Sequence, residues 1–216
     1  MGDAIEELLA SQTATVSYWP DDVELRTALV DERVYTTLVR ARLRMLLEAV
    51  EDEQRGYPHG HRRSETPVVR GVGTAEHLLP KQWRLRWDPD GRIAADDAAA
   101  RRRDHLLRTL GNLTLMTQRL NSSLSNSAWP DKRRAIDDAT LLLTTRAVTT
   151  AHPDAWTEED IRGRTGCLID AISRIWPVPA GHVHRIVPPA RRLHPRRPAR
   201  PGPRRVRSPG PWILRQ

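Results

Sequence analysis

From Ala180 to Gln216 the chain carries ten Arg and eight Pro, with no Lys and no acidic residue. Runs such as Arg196-Arg197-Pro198 and Pro201-Gly202-Pro203-Arg204-Arg205 cannot build a helix or a sheet interior, because proline lacks the N–H donor and fixes φ. The composition predicts a disordered basic tail over residues 180–216, so any fold must be found in what precedes it. The charge follows the same division. The formal net charge is +8, from 35 Lys and Arg against 27 Asp and Glu. Without the ten tail Arg there remain 25 basic and 27 acidic residues, a charge of −2. A basic tail can bind nucleic acid by releasing counterions, or it can be a solvated extension with no specific role. The +8 therefore gives no independent support for a nucleic-acid function.

Several classes drop out. No stretch of about 18 apolar residues occurs, which excludes a membrane-spanning helix. The opening MGDAIEELLA is acidic and lacks the basic-then-apolar order of a secretory signal, so the expected location is cytoplasmic. The lone cysteine, Cys167, excludes a disulfide framework and a cysteine-based zinc site.

Apolar spacing predicts a mainly helical chain. A short helix is expected over 3–10, with Ile5, Leu8 and Leu9 on one face, then a helix to about Arg33 capped by Asp21 or Asp22. Further helices are expected over about 34–53, 94–110, 129–143 and 158–176, the last opened by the capping signature Thr157-Glu158-Glu159-Asp160. Residues 55–67 read as a loop. It holds His59 and His61, which lack a third metal ligand nearby. Val68–Leu79 and Asn112–Met116 read as short strands, making one small β element among helices. Cys167 is expected to be a buried small hydrophobe, and Trp129 and Trp176 to be core fillers. Three regions follow: a helical lead-in over 1–67, a core over 68–179 and the tail.

The middle third carries the chemistry. It contains Glu76-His77-Leu78-Leu79-Pro80, then Leu110-Gly111-Asn112-Leu113-Thr114-Leu115, then a polar run from Asn121 to Asn126. A histidine ending a strand can act as general base near neutral pH. An asparagine carbonyl is a neutral hard ligand suited to Mg²⁺, which takes oxygen donors and keeps several waters. One carboxylate, one amide and one imidazole would suffice for a single-metal hydrolytic site. The residue types alone equally allow a satisfied core histidine, a turn asparagine and a helix cap.

These segments resemble the HNH (His-Me finger) nucleases, in which a strand ends in an acid–His pair, a second strand carries Asn-Leu, and a helix supplies a final Asn or His nine residues later. Asn112 and Asn121 keep that spacing. Within that group the chain is similar to the C-terminal domain of GmrSD-like modification-dependent restriction proteins, through Glu76-His77-Leu78-Leu79-Pro80, Leu110–Leu115, Asn121 to Asn126 and Lys132. The likeness runs from about Glu7 to Pro179, including Trp19-Pro20 and Ile175-Trp176-Pro177.

The resemblance implies an α+β, mainly helical fold with a ββα-metal finger embedded among packed helices. It implies a metal-dependent DNA endonuclease in restriction or defence against modified or foreign DNA. The alternative is a catalytically inactive or truncated DNA-binding module of a restriction system. It makes His77 the general base, Asn112 the asparagine that holds the loop between the strands and orients His77, and Glu76 and Asn121 the ligands of Mg²⁺ or another divalent cation. Asn126 is a helper or a cap. Lys132, Arg133 and Arg134 are phosphate contacts or a solvated helix face, and Gln82 and Arg119 are further candidate DNA contacts. Two departures matter. Thr117 and Leu120 stand where many relatives carry zinc-binding cysteines, so no structural zinc is expected. Nothing matches the nucleotide-hydrolysing half usual in GmrSD-like proteins. That half is expected on a separate subunit, or the chain is a stand-alone nuclease half or a remnant.

Overall fold

The computed structural model describes residues 2–12, 18–57, 69–124 and 126–183. The expected tail, and the loop with His59 and His61, lie almost wholly outside the described residues. By Cα packing, residues 1–184 form one compact unit. The architecture is α+β: mainly helical, with one two-stranded antiparallel sheet.

Local chemistry accounts for most boundaries. After α1 (Gly2–Ala10), Asp21 caps α2 (Asp22–Leu29) in a reciprocal box. Its carboxylate accepts from the Glu24 N–H at 2.7 Å, and the Glu24 carboxylate accepts from the Asp21 N–H at 3.0 Å. The single helix expected over 34–53 is two, α3 (Val34–Thr37) and α4 (Arg40–Gln54), because Leu38 and Val39 are extended with ψ of 140° and 145°. Strand β1 (Thr74–His77) is followed by the short helices α5 (Trp83–Arg86) and α6 (Arg92–Ala95). The expected 94–110 helix is interrupted at Asp96, whose carboxylate accepts from the Ala98 and Ala99 N–H groups and so starts α7 (Asp97–Leu106) afresh.

A 3-10 turn over Leu110–Asn112 leads into β2 (Leu113–Met116), then α8 (Gln118–Leu124) and α9 (Trp129–Ala139). The next helix, α10 (Leu143–Ala151), was not expected. Its start is satisfied by Glu51 of α4, which accepts from the Leu143 and Thr144 N–H groups, each at 2.9 Å. A cap supplied from so far along the chain leaves no local sequence signal. The last helix, α11 (Glu158–Ile175), opens with the predicted box: the Thr157 hydroxyl accepts from the Asp160 N–H and the Asp160 carboxylate accepts from the Thr157 N–H. Among the described residues no helix is long and apolar enough to cross a membrane.

The hairpin divides the core in two. Its register pairs Thr74 with Met116, Ala75 with Leu115, Glu76 with Thr114 and His77 with Leu113. Paired residues share a face and successive residues alternate. Ala75, Leu113 and Leu115 therefore face α4 and α11 and join a cluster with Leu43, Leu47, Val50 and Leu168. Met116, from the other face, joins Leu78, Trp83, Leu124, Trp129, Ile136 and Val148. The helices before β1 thus share a core with those after β2. Two expectations fail on burial: Cys167 is exposed, and Trp176 is half-buried.

Candidate active site

The turn between β1 and α5 is held by a buried polar frame. Asn112 is fully buried and uses all four side-chain hydrogen-bonding positions. Its Oδ1 accepts from the Leu79 N–H at 2.8 Å and the Trp156 Nε1–H at 3.2 Å, and its Nδ2 donates to the Leu79 and Leu107 carbonyls at 3.0 and 3.1 Å. Gly111 beside it lies so close to α11 that an added Cβ would come 2.0 Å from the Ile161 carbonyl oxygen. Arg164 of α11 donates to the Gly111 and Leu113 carbonyls, both at 2.7 Å. Lys132 of α9, 1 % exposed, donates to the carbonyls of His77 and Leu78 at 2.8 and 2.9 Å. Burial lowers its pKa from 10.5 to about 8, opposed by the nearby Glu76 carboxylate. This corrects the expectation that Lys132 touches phosphate: its ammonium is spent inside the protein on the backbone of the Glu-His motif.

His77 closes β1 on the α4 side. Its ring meets that of Tyr35 edge-on, with centroids 4.2 Å apart. The side chain is 7 % exposed, and its Nε2 is buried without a hydrogen-bond partner among the described residues. Burial first, then the cations Lys81, Lys132, Arg40 and Arg108, push its pKa from 6.5 to about 3. The ring is neutral at physiological pH, the protonation state a general base needs.

Glu76 sits on the opposite face. It is half-buried, pairs across the sheet with Thr114, and accepts from the Thr74 hydroxyl at 3.0 Å through Oε1. Helix α8 packs on this same side, because Leu120 and Leu124 join the cluster that contains Met116. Asn121, half-buried on α8, forms no side-chain hydrogen bond with the described residues. A carboxylate and an uncommitted amide on one side of the hairpin fit a hard divalent cation that keeps most of its waters. Among the described residues no group of three or more His, Cys, Asp and Glu could hold a metal. The Glu-His pair is thus split across the sheet, acid toward α8 and α9, imidazole toward α3 and α4.

The remaining residues spread outward. Gln82 precedes α5 and Arg119 lies on α8; both are exposed. Arg133 is half-buried and pairs with Asp137 at 3.2 Å, whereas Arg134 is exposed. Asn126 is half-buried beyond α8. Nothing local in the sequence marks Tyr35, Trp156 or Arg164. Each reaches the site from a helix or loop distant along the chain, and Arg40 and Lys81 were likewise not singled out.

A family model described as GmrSD restriction endonucleases, C-terminal domain, matches residues 19–171. The match covers every element from α2 to most of α11, including the hairpin and α8. No curated protein and no solved structure matches the chain.

Proposed function

The chain belongs to the family of GmrSD restriction endonuclease C-terminal domains, and from that membership we propose that it is a metal-dependent DNA endonuclease of HNH type, built on a ββα-metal finger, that acts in restriction of modified or foreign DNA. Beyond the family match, this reading is supported by the half-buried Glu76 on the side where α8 packs, by Asn121 on that helix with its amide uncommitted, and by His77 ending the strand on the opposite face of the sheet. Glu76 and Asn121 would hold a divalent cation, which would supply charge stabilisation to a phosphate oxygen and to the leaving group.

The rest of the mechanism belongs to the chain. His77, held neutral, takes the proton of the attacking water at a ring nitrogen. Lys81 and Arg40, whose charges disfavour the imidazolium in the free protein, are offset by the incoming phosphodiester, so substrate binding raises the proton affinity of the ring. Asn112 and Lys132 fix the backbone from His77 to Leu79 and so limit where the ring can go. The enclosure of His77 against Tyr35 requires that ring to turn outward before it meets water. The same enclosure favours a second reading, a DNA-binding module of a restriction system that no longer cuts.

Plasmid nicking separates the two. Wild type, His77→Ala and Glu76→Gln are incubated with plasmids carrying unmodified and modified cytosine, in Mg²⁺ or EDTA. The endonuclease reading expects Mg²⁺-dependent nicking by wild type that both substitutions abolish. DNA binding without nicking in any condition selects the inactive module.

A further inference from the structure

Three side chains converge on the ring of Tyr35. The Arg40 guanidinium lies over it, 3.5 Å from the ring centre, the Lys81 ammonium stands 5.0 Å away, and the His77 ring meets it at 4.2 Å. Arg40 also donates through Nη1 to the Tyr35 carbonyl. Arg40 and Lys81 are exposed and form no ion pair with any described residue. Arg108, half-buried nearby, donates to the Asp104 carbonyl at 3.3 Å. The Asp104 carboxylate is itself taken by Arg84 and by the Trp83 indole, and Glu76 faces the other side of the sheet. Cations gathered around an aromatic platform without a counter-charge attract an anion. Helix α4 begins at Arg40 with no side-chain cap, so the positive end of its dipole adds to the same field. A separate observation points the same way. The Nε2 of His77 is buried and lacks a partner among the described residues, and a buried polar atom left unpaired is costly unless something completes it.

We propose that Tyr35, Arg40, Lys81 and His77 form a binding site for one phosphodiester group of a DNA strand, on the face of the hairpin opposite Glu76. The assignment rests on the endonuclease reading for the identity of the polymer. It adds the residues that hold the strand on the His77 side. Arg40 offers a planar fork suited to two phosphate oxygens, Lys81 a movable point charge, and Tyr35 the surface that keeps both in place.

The test uses the full chain in EDTA and a fluorescent duplex oligonucleotide, with anisotropy read over a range of salt concentrations. The variant is the double substitution Arg40→Gln, Lys81→Gln; both side chains are exposed, so folding is checked by an unchanged melting temperature. The expected result is a Kd at least about tenfold higher and a dependence of log Kd on log salt shallower by about 1 to 2, since each lost phosphate contact removes about 0.9. Tyr35→Leu weakens binding in the same direction, and Tyr35→Phe preserves it. Inorganic phosphate at millimolar concentration, added as a second arm, displaces the oligonucleotide only weakly if the site is built for the polymer. Full displacement by phosphate alone reassigns the site to the free ion and overturns the proposal. If wild type nicks DNA in Mg²⁺ while the double variant keeps wild-type affinity and salt slope, the phosphodiester site is wrong and the endonuclease reading stands. If Arg40 and Lys81 carry DNA binding but wild type never nicks, the site stands and the endonuclease reading falls.

Discussion

Asn112 and His77 stand at neighbouring ends of the two strands of one hairpin, and their polar atoms are treated in opposite ways. Every hydrogen-bonding position of Asn112 is occupied, by partners from the β1–α5 turn, the segment after α7 and the loop before α11. His77 is almost as buried, yet its Nε2 has no partner among the described residues and its environment opposes protonation. A satisfied buried amide adds rigidity and specifies one backbone arrangement. An unsatisfied buried nitrogen weakens the fold and is kept where something else uses it. The contrast separates a residue whose polar atoms are all used by the fold from one whose buried nitrogen is left over.

Removing the polar group should therefore have opposite consequences at the two positions. Asn112→Ala leaves the Leu79 N–H, the Trp156 indole N–H and two carbonyls without partners, and is expected to cost about 4 kcal/mol in urea unfolding, a large share of the total stability of a domain. A loss below about 1 kcal/mol would mean the frame is not structural. Gly111→Ala forces a Cβ against the backbone of α11 and should cost about 3 kcal/mol by the same measurement. Lys132→Met keeps the length of the side chain but leaves the His77 and Leu78 carbonyls unpaired, for about 2 kcal/mol. Because Lys132 is buried, its removal should leave the salt slope of DNA binding unchanged; a shallower slope would return it to the phosphate contacts.

His77→Phe sharpens the contrast in the other direction. At neutral pH it removes an orphaned nitrogen and should be neutral or stabilising within about 1 kcal/mol. Its sign depends on pH. In the unfolded chain the histidine titrates near 6.5, and in the folded protein near 3. Between these values the unfolded state binds a proton that the folded state does not, so wild type loses stability as pH falls below 6.5. His77→Phe removes that term, and melting curves taken at about pH 7.5 and about pH 5 should show a smaller acid-induced loss than in wild type. Equal losses would mean the ring is open to water. The smallest effect is Cys167→Ser, within about 0.5 kcal/mol, because the thiol is exposed.

What could be read in the sequence was local. The helix cap at Asp21, one of the two residues offered, the capping box at Thr157 and the strand character of 113–116 depend on residues a few positions apart, and they form as the spacing requires. The Glu-His, Leu-Gly-Asn-Leu and Asn motifs fall on β1, the turn into β2 and α8, in the order their resemblance implies. Features set at long range were not legible. The break at Asp96 depends on which of two acidic groups captures the backbone, and α10 depends on Glu51 from another helix. Lys132 was read as a surface cation because its burial is made by β1 and α9 together. Nothing local to Tyr35 marks it as the platform on which Arg40, Lys81 and His77 meet.

The central claim is that His77 is kept unpartnered for chemistry. The most direct measurement is the single-turnover rate of phosphodiester cleavage by His77→Ala, at saturating DNA and Mg²⁺, against wild type. The account predicts a fall of at least about a hundredfold, the usual contribution of a general base, in protein whose circular dichroism shows the wild-type fold. Cleavage by His77→Ala at the wild-type rate would contradict it.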